Sequence, residues 1–197
     1  MLSQVSDPLV DLAGRWTTTL ADAHLPVREL AGARHECVDG RLVIGPWLGA
    51  AESFAMASLA TLLIPAAEAA GRHVYGRVNL TFGPALWIQP DITVLHTLPA
   101  GDAEDRWVPA GYCTMAVEVL PRGGPRRTPV DRSRRCAAGG VPYFLRVEVG
   151  PEQAVVELLT LTPAAGRYAR TARASGGHRL RSDLPFPIDL DPADLLP

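Results

Sequence analysis

Lysine is absent from this chain, and all 19 of its basic residues are arginine. Codon exchange in a genome of biased composition explains such a pattern at surface positions. The absence nevertheless excludes any mechanism that requires a lysine side chain.

Cysteine is scarce as well: the chain has three, at Cys37, Cys113 and Cys136. They are widely spaced, and none belongs to a C-x-x-C pair. The sequence therefore indicates neither a disulfide framework nor a structural zinc site. We expect three reduced cysteines that serve as small core residues.

Long apolar runs and a charge excess are also missing. No run approaches the ~18 residues that cross a bilayer, and the N-terminus lacks the pattern of a signal peptide. We therefore expect a cytoplasmic protein without a membrane partner. The formal net charge of −2 provides no overall attraction to nucleic acid, so any phosphate binding must come from a local patch.

The chain does have the size and composition of one globular domain, with 197 residues of which 47% are hydrophobic. Helical spacing of Leu and Trp predicts an amphipathic helix over 8–23, within an N-terminal helical extension at 1–34. The remaining 35–197 form one predicted unit. An alanine-rich and leucine-rich stretch at 48–70 predicts a helix that is largely buried against a sheet and is bent or divided by Pro65.

Strand patterns dominate the rest of the chain. An Asp39-Gly40 turn predicts a hairpin. Loose alternation predicts strands at 74–82, 86–96 and 112–120, with a polar loop at 99–111. Short strands after Gly140 predict an antiparallel meander that completes the sheet.

Two carboxylates interrupt these strands, because Asp91 and Glu118 each stand within a run that otherwise belongs inside a sheet. A buried carboxylate costs several kcal/mol unless it finds a cation or hydrogen-bond donors. The pair thus indicates either a bound metal ion or paired arginines, and the metal is our working hypothesis. On neighbouring strands, opposed side chains would lie about 4.5–5.5 Å apart at Cβ, which suits a shared ion.

Glu36, on the first arm of the predicted hairpin, has two interpretations. It could add a third carboxylate to a metal cluster, or it could be an ordinary solvated strand position.

An arginine-rich connection follows the second strand, with six arginines between Arg122 and Arg135. Thr128 resembles the N-cap of a short helix that ends at Gly139. The run could position DNA phosphates, or it could be a solvated face, as most charge runs are. Under the first interpretation the contacts are Arg122, Arg126, Arg127 and Arg135.

An ordered set of segments carries a resemblance to a known family: HECVDGRLVIGP, WIQPDITV, AVEVL, GVPYFLRVE and the PFPIDL ending. Together they resemble the Uma family of restriction endonucleases, within the PD-(D/E)xK nuclease superfamily. The resemblance implies an α/β fold of the restriction-endonuclease type: a mixed β-sheet flanked by helices, with an N-terminal helix and a C-terminal antiparallel meander.

The resemblance also implies roles for individual residues. Asp91 and Glu118 correspond to the two ligands of Mg²⁺ (or Mn²⁺), and Glu36 corresponds to an accessory acid. Arg132 falls where the family has its catalytic lysine. Because arginine stays protonated, Arg132 could stabilise charge but could not act as a base.

Two functions from different classes follow. The first is a magnesium-dependent DNA endonuclease, weakened by the Lys-to-Arg replacement. The second is a catalytically inactive module of the same fold that binds nucleic acid or a protein partner. Nucleases that cut both strands are often two-fold dimers, so a homodimer is a reasonable expectation.

Overall fold

The structure is a computed structural model, and it describes residues 7–26, 28–30, 32–45, 48–123 and 130–197. The helices within these residues are α1 (Pro8–Asp11), α2 (Thr18–His24), α3 (Ala50–Ala69), α4 (Gly101–Arg106) and α5 (Arg132–Ala138). Short 3-10 turns lie at Arg28–Leu30, Ala110–Tyr112, Pro163–Ala165 and Pro192–Leu195.

The strands are β1 (Arg34–Val38), β2 (Arg41–Gly45), β3 (His73–Tyr75), β4 (Leu80–Gly83), β5 (Leu86–Ile88), β6 (Ile92–Leu95), β7 (Val108–Pro109), β8 (Cys113–Pro121), β9 (Tyr143–Val149), β10 (Ala154–Thr162), β11 (Arg167–Ser175), β12 (Leu180–Ser182) and β13 (Ile188–Leu190). They build a five-stranded sheet in the order β2-β1-β5-β4-β7 and a six-stranded sheet in the order β11-β10-β9-β8-β6-β3. The pair β12-β13 stands by itself.

Both large sheets are mixed. β8 pairs with β9 in parallel, and β4 pairs with β7 in parallel, whereas the other strand pairs are antiparallel. The strands β9, β10 and β11 are sequential antiparallel neighbours and form the predicted meander. The predicted α/β class, with mixed sheets flanked by helices, is confirmed, although the strands divide between two large sheets.

Helix α3 covers one face of the six-stranded sheet. Its buried residues Leu59 and Leu63 pack with Val117, Leu145 and Val156 in the largest core cluster. Each of these side chains is almost fully removed from water, and such burial is the main favourable contribution to folding. The helix therefore fixes the sheet that carries Glu118.

Pro65 does not divide the predicted helix, because α3 is one continuous helix of 20 residues. The expectation that no apolar run approaches the length of a membrane span was wrong, because α3 is long and apolar enough by length and composition. Length and composition do not distinguish a membrane span from a core helix, and one face of α3 packs on the sheet. The opposite face leaves Phe54, Leu62 and Ile64 exposed, so α3 is less buried than predicted.

The other face of the six-stranded sheet packs against α5 and the five-stranded sheet. The cluster there includes Cys113, Cys136, Phe144 and Leu80. Cys37 lies in a third cluster, and all three cysteines are free and buried, as predicted.

The N-terminal segment forms two short helices, so the prediction of one helix over 8–23 was wrong. Gly14 adopts a φ of 79°, which a glycine tolerates and a helix does not continue through. Thr17 then begins α2 by accepting a hydrogen bond from the Leu20 N–H. Trp16, between the two helices, is 1% exposed and packs with Trp87.

The predicted strands at 74–82 and 86–96 are each divided between the two large sheets. β5 belongs to the five-stranded sheet and β6 to the six-stranded sheet, and residues 89–91 pass from one to the other. Pro90 lies at this crossing, where it has no N–H to donate to a sheet ladder. The crossing places Asp91 directly between the two sheets.

Two local predictions also need correction. The polar loop at 99–111 contains α4 and the short strand β7. Thr128 lies outside the described residues, and α5 is capped by Asp131, which accepts a hydrogen bond from the Arg134 N–H at 3.1 Å.

Candidate active site

Three carboxylates converge where the two large sheets meet. Asp91 precedes β6, Glu118 lies in β8 and Glu36 lies in β1. β6 and β8 are antiparallel neighbours, with Ile92 opposite Val117, so Asp91 and Glu118 occupy the next opposed positions. The exposed fractions are 0% for Glu36, 1% for Asp91 and 5% for Glu118.

Arg132 holds two of these acids from the first turn of α5. Its Nε and Nη2 donate to Glu36 at 2.7 and 2.6 Å, and its Nη1 donates to Glu118 Oε1 at 2.8 Å. Arg132 is only 2% exposed, and its hydrogen bonds to buried anions are the strong, charge-assisted kind. The interpretation of Glu36 as a solvated strand position was therefore wrong.

Arg34 holds the third acid and was not foreseen. Its Nη2 forms a buried ion pair with Asp91 Oδ1, while Asp91 Oδ2 accepts the Val119 N–H at 2.8 Å. Gly45 lies opposite Arg34 in the β1–β2 ladder, and without a side chain it leaves room for the Arg34 stem. Strand alternation was the available signal, because Arg34 and Glu36 are two residues apart and share a face of β1.

Arg77 is a second residue that sequence reasoning missed. Its pKa is lowered, first by loss of water around the guanidinium and then by repulsion from Arg34. Asp91 and Glu36 act on it in the opposite direction. Arg77 is exposed in the segment between β3 and β4, so it offers a positive charge beside the cluster.

Glu118 has a raised pKa although it is paired with Arg132. Burial raises its pKa above the ordinary value, and the nearby charge of Asp91 adds to the increase. Arg132 and Arg146 lower the pKa, but their effect does not cancel that of burial. A cation bound next to Glu118 would lower this pKa and favour the ionised carboxylate.

Two of the three acids, Asp91 and Glu118, are suited to hold a divalent metal ion. In the described part of the chain, no three His, Cys, Asp or Glu side chains form a metal-binding group. Magnesium, however, needs only one or two protein carboxylates, and it completes its octahedral shell with water and phosphate. Asp91 and Glu118 meet this requirement, and the described hydrogen bonds of the Glu118 carboxylate engage only Oε1. Arg34 and Arg132 would compete with the ion.

The arginines predicted to bind nucleic acid are only partly described. Arg122 is exposed just after β8, and Arg135 pairs with Asp39 across 3.6 Å. Arg126 and Arg127 lie outside the described residues. The role of this set remains a prediction.

A solved structure supports the fold. The crystal structure of a putative nuclease belonging to DUF820 from Anabaena variabilis ATCC 29413 is similar to this chain, with a TM-score of 0.59. The similarity covers 88% of this chain and 94% of that one, at 14% sequence identity. Identity this low shows a shared fold and nothing more.

The family comparison covers most of the chain. No protein of curated function matches the sequence. A family model described as "Uma2: Putative restriction endonuclease" matches residues 22–195. This range includes Glu36, Asp91, Glu118 and Arg132, the four buried residues to which the resemblance gave roles. This chain belongs to the Uma2 family.

Proposed function

We propose that this protein is a divalent-metal-dependent endonuclease that hydrolyses phosphodiester bonds of DNA. Its family model is described as a putative restriction endonuclease, and restriction-endonuclease-like proteins generally use a divalent metal ion. The observation that carries the proposal is the opposed, buried pair of Asp91 and Glu118, in which the described hydrogen bonds of Glu118 engage only Oε1.

Asp91 and Glu118 would hold Mg²⁺ or Mn²⁺ between the two sheets. When bound, such an ion makes a water molecule more acidic and offsets negative charge on the phosphate. Asp91 directly precedes β6 and Glu118 lies in the neighbouring β8. Because both strands pack against α3, we expect the spacing of the two acids to be set before any ligand binds.

Arg132 would supply a fixed positive charge beside the scissile phosphate. Its guanidinium remains protonated, and the hydrogen bonds to Glu36 help raise its pKa further, although burial alone would lower it. It can therefore stabilise charge that develops in the transition state but cannot accept a proton from the attacking water. Glu36 acts through Arg132, because it fixes the guanidinium by two hydrogen bonds.

A second function is favoured by the same ion pairs. Each acid of the cluster already contacts an arginine: Glu36 and Glu118 contact Arg132, and Asp91 contacts Arg34. A cluster that is internally neutralised would suit a module that keeps the nuclease fold and binds nucleic acid or a protein partner without cutting.

Cleavage of supercoiled plasmid separates these two functions. With Mg²⁺ or Mn²⁺ we expect the wild-type protein to cut, and we expect Asp91→Asn and Glu118→Gln to cut at least about 100-fold more slowly, since several kcal/mol of charge stabilisation would be lost. Glu152→Gln, an exposed change of the same kind, serves as the control.

The outcomes differ clearly between the two functions. If wild type, Asp91→Asn and Glu118→Gln cleave the plasmid at equal rates, the endonuclease proposal is overturned. Binding of DNA in EDTA, together with no cleavage in either metal, would establish the binding module instead.

A further inference from the structure

A row of charged side chains crosses the six-stranded sheet from Glu118 outward. In register, Glu118 on β8 faces Arg146 on β9, Arg146 faces Glu157 on β10, and Glu157 faces Arg173 on β11. These residues alternate along their strands with Val117, Val147 and Val156, and those valines belong to the core under α3. The charged row therefore lies on the sheet face opposite α3, which is the face of the candidate active site.

Positive charge exceeds negative charge around Glu157. Glu157 lies within ion-pair distance of three arginines, with contacts of 3.9 Å to Arg146, 2.8 Å to Arg170 and 3.4 Å to Arg173. One carboxylate neutralises one guanidinium. Arg170 and Arg173 are 58% and 49% exposed, so their remaining donors are accessible from solvent.

A cleft of about 490 Å³ continues the same surface toward α5. Arg134, Arg146, Arg167 and Arg170 line it together with the acids Asp131 and Glu157. Among the described residues the buried Arg146 Nε has no hydrogen-bond partner, so part of the donor capacity of this guanidinium is unused there.

We infer that the phosphate backbone of DNA binds along the surface formed by Arg134, Arg146, Arg167, Arg170 and Arg173, and that it reaches Glu118 from there. We call this surface the β9–β11 arginine face. The inference rests on the proposed function, and it names a route to the active site that differs from the connection between Arg122 and Arg135.

The chemistry of arginine favours phosphate as the ligand of this face. Its planar guanidinium presents several donors in a fork that matches phosphate oxygens. Five arginines stand here against the acids Asp131, Glu148 and Glu157, so the face keeps a positive excess although the chain as a whole has a net charge of −2. A local patch of this kind gives the electrostatic footprint of a nucleic-acid-binding protein.

The geometry directs a bound backbone toward the acids. Adjacent strands lie about 4.8 Å apart, so Arg146 is one strand from Glu118 and Arg173 is three strands away, roughly 14 Å. DNA carries one charge per strand for every ~3.4 Å of its axis, so a row of this length spans several phosphates. Contacts of this type fix the position of the duplex and carry no sequence information.

The test is DNA affinity as a function of salt concentration. A labelled DNA duplex is titrated in EDTA with wild-type protein and with the double variant Arg170→Gln/Arg173→Gln, and binding is followed by fluorescence anisotropy. Each lost phosphate contact reduces the slope of log K against log salt by about 0.9. We therefore expect a slope shallower by about 2 and a binding constant at least about tenfold lower at physiological salt.

Three matched variants complete the design. Arg179→Gln/Arg181→Gln removes the same charge from exposed positions beside Asp189, and we expect it to bind as wild type does. Arg170→Lys/Arg173→Lys keeps the charge and should retain most of the salt slope. Arg122→Gln/Arg135→Gln tests the alternative route. Circular dichroism of each variant checks that the fold is intact. We expect an intact fold, because Arg170 and Arg173 are exposed.

Each outcome decides the inference. The inference is overturned if Arg170→Gln/Arg173→Gln binds with the wild-type salt slope, or if the Arg179→Gln/Arg181→Gln control loses as much affinity. In either case, metal-dependent cleavage by the wild-type protein can still uphold the proposed function. If wild type neither binds nor cleaves DNA, the proposed function falls and the inference falls with it.

Discussion

Arginine satisfies more hydrogen-bond acceptors in this cluster than a lysine could. Arg132 uses three nitrogens to bind two acids, and the fork to Glu36 is bidentate. A lysine has three donors on a single nitrogen and cannot make a planar bidentate pair. The arginine ion pairs therefore hold the buried acids of this site in a fixed geometry. Removing one partner of such a buried pair typically costs 3–5 kcal/mol.

Arg34 should control how tightly the site binds a metal ion. Arg34→Gln removes the charge that competes for Asp91, so we expect the concentration of Mn²⁺ or Mg²⁺ that half-saturates thermal stabilisation to fall roughly tenfold. The same variant should unfold at a lower temperature in EDTA, because Asp91 loses its buried partner. Arg41→Gln, an exposed change on β2, is the control. An unchanged half-saturating concentration would show that Arg34 and the ion do not compete.

Helix α3 shows how packing overrides a local signal. Pro65 lacks the N–H of a helix interior, and this lack predicts a bend or a break. Pro65 is exposed, however, and buried residues lie on both sides of it at Leu63 and Ala67. Because these residues pack on the sheet before and after the proline, burial holds the helix continuous across the missing hydrogen bond.

The two faces of α3 should respond differently to truncation. Leu59 is fully buried against the sheet, and we expect Leu59→Ala to lower the free energy of unfolding by about 2–5 kcal/mol. Leu62 is 42% exposed on the same helix, and Leu62→Ala should cost less than about 1 kcal/mol. Urea unfolding measures both. Equal losses would mean that the outer face of α3 is also covered, for example by a second copy of the chain.

Elements with a strong local pattern were predictable. The hairpin of β1 and β2, the long helix α3 and the strand β8 follow from turn chemistry and periodicity, and the convergence of Asp91 with Glu118 followed from them. The crossing at 89–91 did not follow, because periodicity shows which residues share a strand face and not which sheet a strand joins. Arg34 was missed for a related reason, since its partner Asp91 is 57 residues away.

Hydrogen bonds connect the predicted N-terminal extension at 1–34 to the predicted domain that follows it. Trp16 lies in this extension, and its backbone N–H donates to the Gly40 carbonyl at 3.0 Å. Thr18 likewise donates to the Pro84 carbonyl at 2.8 Å. Gly40 has a φ of 76°, and only a residue without a side chain can approach the Gly14 carbonyl this closely. The N-terminal segment thus covers the five-stranded sheet as part of its core.

Removal of the Trp16 side chain should destabilise the whole protein. Trp16 is 1% exposed and shares its cluster with Cys37 and Trp87, so Trp16→Ala should lower the free energy of unfolding by about 3–5 kcal/mol. Val10→Ala, at a 70% exposed position of α1, is the control and should cost less than about 0.5 kcal/mol. Far-UV circular dichroism in urea measures both without relying on tryptophan fluorescence. A single transition shifted to lower urea would show that the segment and the sheets unfold together. A loss under about 1 kcal/mol would instead mark residues 1–34 as an extension that the remaining domain does not need.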